Sequence, residues 1–465
     1  MAKSAPVIPG PLGNSRRGRW LSGVRRRAHP TLALLNNVLP RALDIAASAT
    51  LLVLLSPLLL ARAWWSRHQT GAILTATPLI GRFQTPFQRL SFAGTGRFRT
   101  LAVWLNIVRG EMAIVGPRPL RAEEAAAVPV EDLVRFIVRP GLISPFGIRS
   151  RIGLAHERES ALDRDQVYGQ TLKGDLGLAA RSVVSSALGG GGAAREMPPV
   201  INFFGIPVVN TTMTEAVDWV IANAQGTTRR LMAFVNPDCL NIAWKDATYR
   251  GVLLDADRVL PDGIGIHLGC RMLGLALRAN VNGTDLFPLL CEAAARAGLP
   301  IYLLGARPGV AQAAADNMVK RYPTLMIAGT RDGFFSAEEE SSVVHAISQS
   351  GARILLVAFG VPRQEVWLHR WRERLAPPVC MGVGGLFDFY SGRIPRAPVW
   401  MREIGLEWLY RLIQEPGRMW RRYVIGNPLF LLRVRQQAQH PERFTLPSAD
   451  GERHAPPPPD NSHPS

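Results

Sequence analysis

Short apolar runs alternate with helical patterns throughout the second half of the chain. The runs cover residues 231–235, 258–260, 301–304, 354–359 and 379–383, and residues 310–322 have a helical period. Strands that alternate with helices predict a Rossmann-like α/β fold, in which helices cover both faces of a mostly parallel sheet. Ligands bind such sheets at the carboxyl ends of the strands, so the loops after these runs form the candidate site.

A long apolar segment, Arg41 to Arg62, lies in the first half. Its length approaches the roughly 20 residues that a membrane helix needs. Ser56-Pro57 interrupts it, because proline lacks an amide donor and clashes with the preceding turn. Trp64 and Trp65 after it are typical interfacial anchors. The pattern predicts a membrane-associated α/β domain with one kinked or re-entrant membrane helix, and it leaves spanning and re-entrant insertion open.

Changes in composition divide the chain into five parts. These are a flexible basic arm at 1–28, a membrane-anchoring domain at 29–185, a Gly/Pro linker at 186–199, a second domain with an arginine-rich end at 200–437, and a disordered tail at 438–465. A length of 465 residues also suggests two domains.

The net charge is compatible with three classes of binding partner and does not distinguish among them. A formal net charge of +18 fits nucleic acid, an anionic membrane surface or phosphate-bearing substrates. The four cysteines have no paired spacing, which excludes a zinc site and a disulfide framework and favours a reducing compartment. The polar N-terminus predicts no cleavable signal peptide.

Asp262 follows a short apolar run within Leu260-Pro-Asp-Gly-Ile-Gly265. A carboxylate at a strand end can act as a general base toward an acceptor hydroxyl, a role typically worth about 10²–10⁴ in rate. It can equally cap the helix that follows. The residues alone leave these two roles evenly balanced.

Glycine turns mark other strand ends. The segments 302–309, 359–364 and 382–388 each combine an apolar run, glycine and a helix start. Free amides and the positive end of a helix dipole suit a phosphate. Many α/β loops share this pattern, so it is a weak signal.

The segment from Trp400 to Tyr423 predicts an arginine-rich amphipathic helix. Its apolar stripe contains Trp400, Ile404, Trp408, Leu412 and Ile413, and its other faces carry Arg402, Arg411, Arg418, Arg421 and Arg422. Such a helix can clamp a diphosphate without metal, or it can lie on a membrane surface. A lipid-linked acceptor would make both true.

Several motifs in the second half occur in one order. They are Pro261-Asp-Gly-Ile-Gly265, Gly283-Thr-Asp-Leu286, Tyr302-Leu-Leu-Gly305, Gly329-Thr-Arg-Asp-Gly-Phe-Phe335, Gly360-Val-Pro-Arg-Gln-Glu-Val-Trp367, Gly382-Val-Gly-Gly-Leu-Phe-Asp388, Arg396-Ala-Pro398 and Gly405-Leu-Glu-Trp-Leu-Tyr-Arg-Leu412. With these motifs, residues 203 to about 425 resemble the WecG/TagA/CpsF glycosyltransferases (glycosyltransferase family 26).

The resemblance implies roles for individual residues. Asp262 matches the family's proposed base and Gln364 a polar active-site residue. The implied substrate-binding residues are Asn236, Gly263, Asp285, Gly305, Arg411, Arg418 and Arg421. The implied reaction is an inverting, metal-independent transfer from a UDP-sugar, often of the N-acetylmannosamine type, to a polyprenyl-diphosphate-linked sugar, without a cofactor.

Two details bear on that reaction. Family members often carry threonine near the first strand end, where this chain has Phe234 followed by Asn236, so the sugar preference stays open. Asp255-Ala-Asp257 has the Asp-x-Asp form that many glycosyltransferases use for a divalent ion. It precedes a strand instead of ending one, which favours a structural role.

The first half, from 41 to about 185, resembles bacterial sugar transferases that load a phosphosugar onto polyprenyl phosphate. The resemblance rests on Ser56-Pro57, Leu105-Asn-Ile-Val-Arg-Gly-Glu-Met-Ala-Ile-Val-Gly-Pro-Arg-Pro119 and Val138-Arg-Pro-Gly141. The family's Asp-Glu nucleophile pair falls here on Arg99 and Thr100, neither of which can replace a carboxylate. Arg118 is left as a phosphate-binding candidate, and Glu111 is an outside candidate for a shifted nucleophile.

The leading hypothesis is a glycosyltransferase of exopolysaccharide or cell-envelope assembly on the cytoplasmic face of the bacterial inner membrane, attached by residues near 41–65. Its first half would be an inactive anchor. The alternative is a bifunctional enzyme that also transfers a phosphosugar to polyprenyl phosphate. A nucleic-acid-binding protein fits the charge but not the membrane segment or the motifs. A dehydrogenase would need a third glycine that Gly263-Ile-Gly265 lacks. The oligomeric state stays open.

Overall fold

A computed structural model describes residues 29–96, 98–151, 159–189 and 196–446. The chain forms two compact units: the first comprises the described residues up to Gly147 and those from 159 to Val183, and the second comprises the rest. The predicted arm at 1–28, residues 190–195 of the linker and residues 447–465 of the tail lie outside the described residues.

The elements before residue 190 are short and mixed. The helices are α1 His29–Leu54, α2 Ser56–Thr70, α3 Val103–Arg109, α4 Ala122–Ala126, α5 Pro145–Arg151, α6 Glu159–Tyr168 and α7 Leu172–Gly189. The strands β1 Leu74–Ile80 and β2 Pro86–Phe92 pair antiparallel, whereas β3 Ala113–Val115 and β4 Gly141–Ile143 pair in parallel. A small core forms around Val103, Ile107 and Met112.

The predicted kink is present as a break between two helices. Across the described part of the chain, no single helix has both the length and the apolarity to cross a membrane; Val38–Leu54 and Ser56–Thr70 reach them together, bent by 70°. The break falls at Leu55, and Pro57 lies in the first turn of α2, where a missing amide hydrogen costs nothing. Insertion of this bent pair in a membrane stays a prediction.

The second unit is built on a six-stranded, all-parallel sheet, which confirms the predicted α/β class. Its strand order is β10-β9-β11-β12-β7-β8. The strands are β7 Arg230–Val235, β8 Arg258–Pro261, β9 Ile301–Gly305, β10 Ile327–Arg331, β11 Ile354–Ala358 and β12 Val379–Gly382. A separate antiparallel hairpin joins β5 Val200–Phe203 to β6 Ile206–Val209.

Helices cover both faces of this sheet. They are α8 Met213–Gln225, α9 Pro237–Lys245, α10 Ala247–Asp255, α11 Ile264–Met272, α12 Gly283–Ala297, α13 Val310–Arg321, α14 Glu340–Gln349, α15 Arg363–Trp371 and α16 Leu386–Tyr390. Successive residues of β9 enter different clusters, Ile301 and Leu303 one and Tyr302 and Leu304 another, as the two-residue period of a strand requires. All four cysteines are buried thiols within these layers.

The C-terminal segment differs from the single helix that its pattern predicted. It forms α17 Val399–Arg402, α18 Glu407–Gln414, α19 Pro416–Trp420, a π-helical turn Arg421–Ile425 and α20 Gly426–Gln439. Gly405 stops α17 with a φ of +73°, and a Cβ there would lie 3.0 Å from Ile264. Pro416 begins α19, so it ends the helix before it.

The start of the predicted tail is also ordered, which corrects the boundary at 438. Helix α20 ends at Gln439, and Phe444 beyond it packs on Trp244 and Phe204 with ring centroids 5.6 and 6.1 Å apart. Its carbonyl oxygen accepts a hydrogen bond from the amide of Asn202. The polar composition of this segment gave no indication that Phe444 packs on these two rings.

Candidate active site

Four neighbouring strands bring several of the predicted residues to the same end of the sheet. Because β11, β12, β7 and β8 are parallel neighbours, their carboxyl ends lie side by side. The loop after β7 carries Asn236, the loop after β8 carries Asp262, and the loops after β11 and β12 contain Gly360 and Gly384. Ligands bind sheets of this kind at such an edge, so these loops form the candidate active site.

Asp262 is held by its backbone directly beyond β8. Its amide donates to the carbonyl of Val235 at 2.8 Å, which continues the pairing of β7 with β8. The next residue, Gly263, has a φ of +95°, and its amide donates to Asn280 Oδ1 at 2.5 Å. Gly263 is itself the cap of α11, and no side chain caps that helix. Gly263, and not Asp262, is therefore the N-cap residue of α11, and the general-base role of Asp262 stays a prediction.

The pKa of Asp262 reflects opposing influences. Burial raises it, because a carboxylate loses hydration there. Arg411 and then Arg422 oppose this shift, whereas the nearby Glu407 adds to it, and the net direction is upward. A carboxylate with a raised pKa is a stronger proton acceptor than an ordinary aspartate, which suits a general base.

Asn236 links the first strand end to the carboxyl group. Its Oδ1 accepts from the amides of Asp238 and Cys239 at 3.0 and 3.1 Å, so it caps α9. Its side chain also hydrogen-bonds to Asp262 and lowers the pKa of that carboxyl group. Asn236 thus orients the candidate base; binding of a ligand by Asn236 stays a prediction.

Gln364 lies beneath the loops after β11 and β12. Its side chain is 2% exposed, and Oε1 accepts from the amides of Gly360 and Gly384 at 3.1 and 3.0 Å. Its Nε2 donates to Glu365 Oε1 at 2.7 Å. These contacts favour a positioning role over direct contact with substrate.

Gly382→Ala is expected to disturb this arrangement. A Cβ at position 382 would lie 2.7 Å from Gln364 Nε2. We expect the free energy of unfolding to fall by about 1–3 kcal/mol, the usual cost of overpacking. Gly385→Ala is the matched control, since its Cβ would meet only Asp388 Oδ2 at 3.8 Å. Thermal unfolding of the two purified variants tests this; equal midpoints would contradict it.

The three arginines that were predicted to bind substrate have different environments in the structure. Arg411 acts on Asp262, stacks its guanidinium 4.6 Å from the Phe389 ring centroid, and has an enclosed Nε without a hydrogen-bond partner among the described residues. The side chain of Arg418 is 71% exposed and pairs with Glu415. Arg421 is exposed and lines a surface cavity of about 370 Å³ with Lys245. Of the three, the structure places Arg411 beside the candidate base.

Asp285 belongs to a chain of ion pairs that leads to Arg411. Its Oδ1 lies 2.6 Å from Arg396, which lies 3.6 Å from Glu407, and Glu407 lies 3.7 Å from Arg411. The Asp285 carboxylate is therefore engaged by an arginine. Its contribution to a site is to fix Arg396, and direct substrate binding stays a prediction.

Close packing against β11 explains why position 305 is a glycine. Its φ is +126°, and a Cβ would lie 2.6 Å from the carbonyl oxygen of Ala358 on β11. Two strands, β11 and β12, separate β9 from β7. The structure thus does not bring Gly305 to the loop that holds Asn236.

Asp257 has the structural role expected for the Asp-x-Asp segment. It precedes β8, and its carboxylate oxygens lie 2.7 Å from Arg230 and 2.7 Å from Arg372. Asp255 lies 3.0 Å from His369. Both carboxylates bind cationic or potentially cationic partners at the end of the sheet opposite Asp262.

In the first unit, the candidate phosphate ligand is already paired. Arg118 donates to both oxygens of Glu159 at 2.8 and 2.9 Å and to Glu124 at 3.2 Å. The hydrogen bonds to Glu159 raise the pKa of the guanidinium. A phosphate would have to displace two carboxylates. Glu111 accepts from Asn106 Nδ2 at 2.6 Å, which gives this carboxylate a structural contact.

Sequence reasoning missed four residues of the site: Asn280, Arg396, Glu407 and Arg422. Arg396 and Glu407 lie within motifs of the family resemblance, and these motifs were the available signal. Arg422 was assigned only to a general basic face, yet its Nε lies 3.4 Å from Asp238 and it acts on Asp262. Asn280 has no local signal, because only the fold brings it to Gly263.

Comparison with known proteins identifies the family of the second half of the chain. The model of the family described as "Glycosyl transferase WecG/TagA/CpsF family" matches residues 201–443. An N-acetylglucosaminyldiphosphoundecaprenol N-acetyl-beta-D-mannosaminyltransferase of Bacillus subtilis (strain 168) is 32% identical over 240 residues, which cover 51% of this chain and 92% of the relative. The protein of the same name from Bacillus spizizenii (strain ATCC 23059 / NRRL B-14472 / W23) is 33% identical over 221 residues, covering 47% of this chain and 84% of the relative. The chain belongs to the WecG/TagA/CpsF family and is a glycosyltransferase.

Proposed function

We propose that this protein moves an N-acetylmannosamine-type sugar from a UDP-sugar to a polyprenyl-diphosphate-linked acceptor. The observation that carries the proposal is the setting of Asp262, a carboxyl group at the carboxyl edge of the sheet with Arg411 and Arg422 acting on it. The names of the two relatives, which act on a diphosphoundecaprenol-linked sugar, support the acceptor class.

The proposed reaction is one displacement with inversion at the anomeric carbon. The acceptor hydroxyl gives its proton to Asp262 as its oxygen forms a bond to that carbon. The bond from the carbon to the diphosphate breaks, and UDP leaves with the electron pair. Arginine forks match phosphate oxygens, so Arg411 and Arg422 would stabilise the charge that develops on the leaving group. The proposal requires no metal and no cofactor.

The C-terminal segment has the composition of a membrane-binding surface. Trp400, Ile413, Trp420 and Val424 are 43–68% exposed, and they alternate with arginines along α17 to the π-helical turn. Aromatic and aliphatic side chains among basic residues suit an anionic membrane interface. A lipid-linked acceptor lies in such an interface, which supports action at a membrane surface; the cytoplasmic face of the inner membrane is part of the proposal.

For the first unit we propose an anchoring role. Val53, Leu54 and Leu60 around the helix break are 70–72% exposed, a setting that suits lipid. Arg99 and Thr100, the positions on which the acidic pair of the resembled sugar transferases falls, lie in a 3₁₀ turn, Arg99–Ala102. The anchor would hold the protein where its acceptor resides.

Purified full-length protein in nanodiscs with a panel of UDP-sugars tests the proposal. Polyprenyl phosphate and polyprenyl-diphosphate-linked N-acetylglucosamine are offered separately, and the released nucleotide is identified. We expect UDP release only with the diphosphate-linked sugar and UDP-N-acetylmannosamine or a related donor. Release of UMP with polyprenyl phosphate would contradict the anchoring role and establish a second activity. Absence of UDP release from every donor would contradict the transfer itself.

A further inference from the structure

Glu365 is a buried carboxyl group next to the site. It lies in the first turn of α15, directly after Gln364, and is 0% exposed. Its Oε1 accepts the hydrogen bond from Gln364 Nε2 at 2.7 Å. Its Oε2 is enclosed and has no hydrogen-bond partner among the residues that the structure describes. The transfer mechanism above makes no use of this group.

The surroundings of Glu365 disfavour a charge. The titratable side chains that interact with its carboxyl group are the thiol of Cys239 on α9 and the phenol of Tyr249 on α10, both buried and both neutral because burial raises their pKa values. No cationic group in the described ranges is among those that shift Glu365. Burial raises the pKa of Glu365 to about 8, so the group carries its proton at neutral pH.

The Glu365 carboxyl group helps to fix the orientation of the Gln364 side-chain amide. An amide side chain can turn over and exchange its donor and acceptor ends. The amides of Gly360 and Gly384 require the oxygen end. The nitrogen end then requires an acceptor, which Glu365 Oε1 supplies; without it a buried amide nitrogen would lose its partner, at the cost of desolvation.

We propose that Glu365 is a positioning residue: its carboxyl group accepts the hydrogen bond from the Gln364 amide, fixes the orientation of that amide and thereby positions the two glycine loops after β11 and β12. These loops lie beside the loop of Asn236 at the carboxyl edge, since β12 and β7 are neighbours. The effect on turnover rests on the proposed function, whereas the effect on the loops does not.

Three variants test the proposal by hydrogen exchange and by kinetics. Glu365→Leu removes the acceptor, Glu365→Gln keeps an oxygen acceptor without an ionisable proton, and Glu373→Leu is the control, because its side chain is 84% exposed in the turn after the same helix. Thermal unfolding first establishes that each variant is folded. Hydrogen exchange measured by mass spectrometry then follows peptides that contain Gly360 and Gly384, with a β9 peptide as reference.

We expect Glu365→Leu to accelerate exchange at the two glycine loops by about tenfold or more, as loss of a buried hydrogen bond would. We expect kcat to fall with little change in the donor KM, and Glu365→Gln to recover most of both losses.

Unchanged exchange and unchanged kcat in folded Glu365→Leu would overturn the positioning role. A Glu365→Gln variant as impaired as Glu365→Leu would overturn the role of Glu365 as the hydrogen-bond acceptor of Gln364. If the wild type turns over no UDP-sugar, the proposed function fails, and the exchange experiment still decides whether Glu365 holds the loops.

Discussion

Asp262→Asn is expected to lower kcat by about 10²–10⁴, the typical contribution of a general base. Asparagine has nearly the same shape but cannot accept the proton of an acceptor hydroxyl. The backbone contacts that hold the position, the amide of Asp262 to Val235 and of Gly263 to Asn280, do not involve the substituted group. The variant should therefore fold and bind donor, and lose mainly the chemical step.

The measurement is single-turnover transfer together with donor affinity. Asp332→Asn is the matched control. Asp332 also lies directly after a parallel strand, β10, which is the outermost strand on the side of the sheet away from β8 and Asp262. Its Oδ1 accepts from the amide of Phe334 at 2.9 Å, a bond that asparagine can keep. Near-normal turnover in Asp262→Asn would remove this carboxyl group from the mechanism, and equal losses in both variants would point to a general effect of strand-end substitutions.

The sheet was predictable because buried parallel strands are continuous apolar runs. β9 and β11 are buried along their whole length, and both were predicted from the sequence. The missed strand is β10, whose residues Ile-Ala-Gly-Thr-Arg are only half-buried at the sheet edge. An edge strand is not required to be apolar, so its sequence carries no such run.

The position of Asp262 was also predictable, but its environment was not. A strand end followed by glycine can be found in a single chain, whereas Asn280, Arg396 and Glu407 reach the site only through the fold. The different environments of the three arginines were not predictable for the same reason. A continuous helix would have presented Arg411 and Arg418 on one face, whereas the break before Pro416 places Arg411 in one helix and Arg418 in the next.

The first half shows the same limit. The helix break before Pro57 followed directly from the chemistry of proline. Arg118 pairs with Glu159, which lies 41 positions later in the chain. A local sequence pattern does not predict such a pair. Long-range ion pairs decide whether an arginine is available to a phosphate, and a single sequence does not contain them.

Arg411→Gln is expected to reduce kcat/KM at pH 8 by about 10- to 100-fold, the range for loss of a hydrogen bond to a charged group. Two effects combine. The leaving diphosphate loses a guanidinium partner, and Asp262 loses the first of the cations that hold its pKa down. The pKa of Asp262 must then rise further, so a larger fraction of the base is protonated, and inactive, at a given acidic pH.

The pH dependence separates these effects. If Arg411 acts on both groups, the loss relative to wild type is larger at pH 6 than at pH 8, because the acidic limb of the rate profile moves to higher pH. A loss that is the same at every pH would restrict Arg411 to the diphosphate. Arg418→Gln is the control: its side chain is 71% exposed and pairs with Glu415 on the same surface, so we expect less than a roughly threefold change. Equal losses in the two variants would mean that the inward position of Arg411 does not matter, and that the arginines act together as a membrane-binding surface.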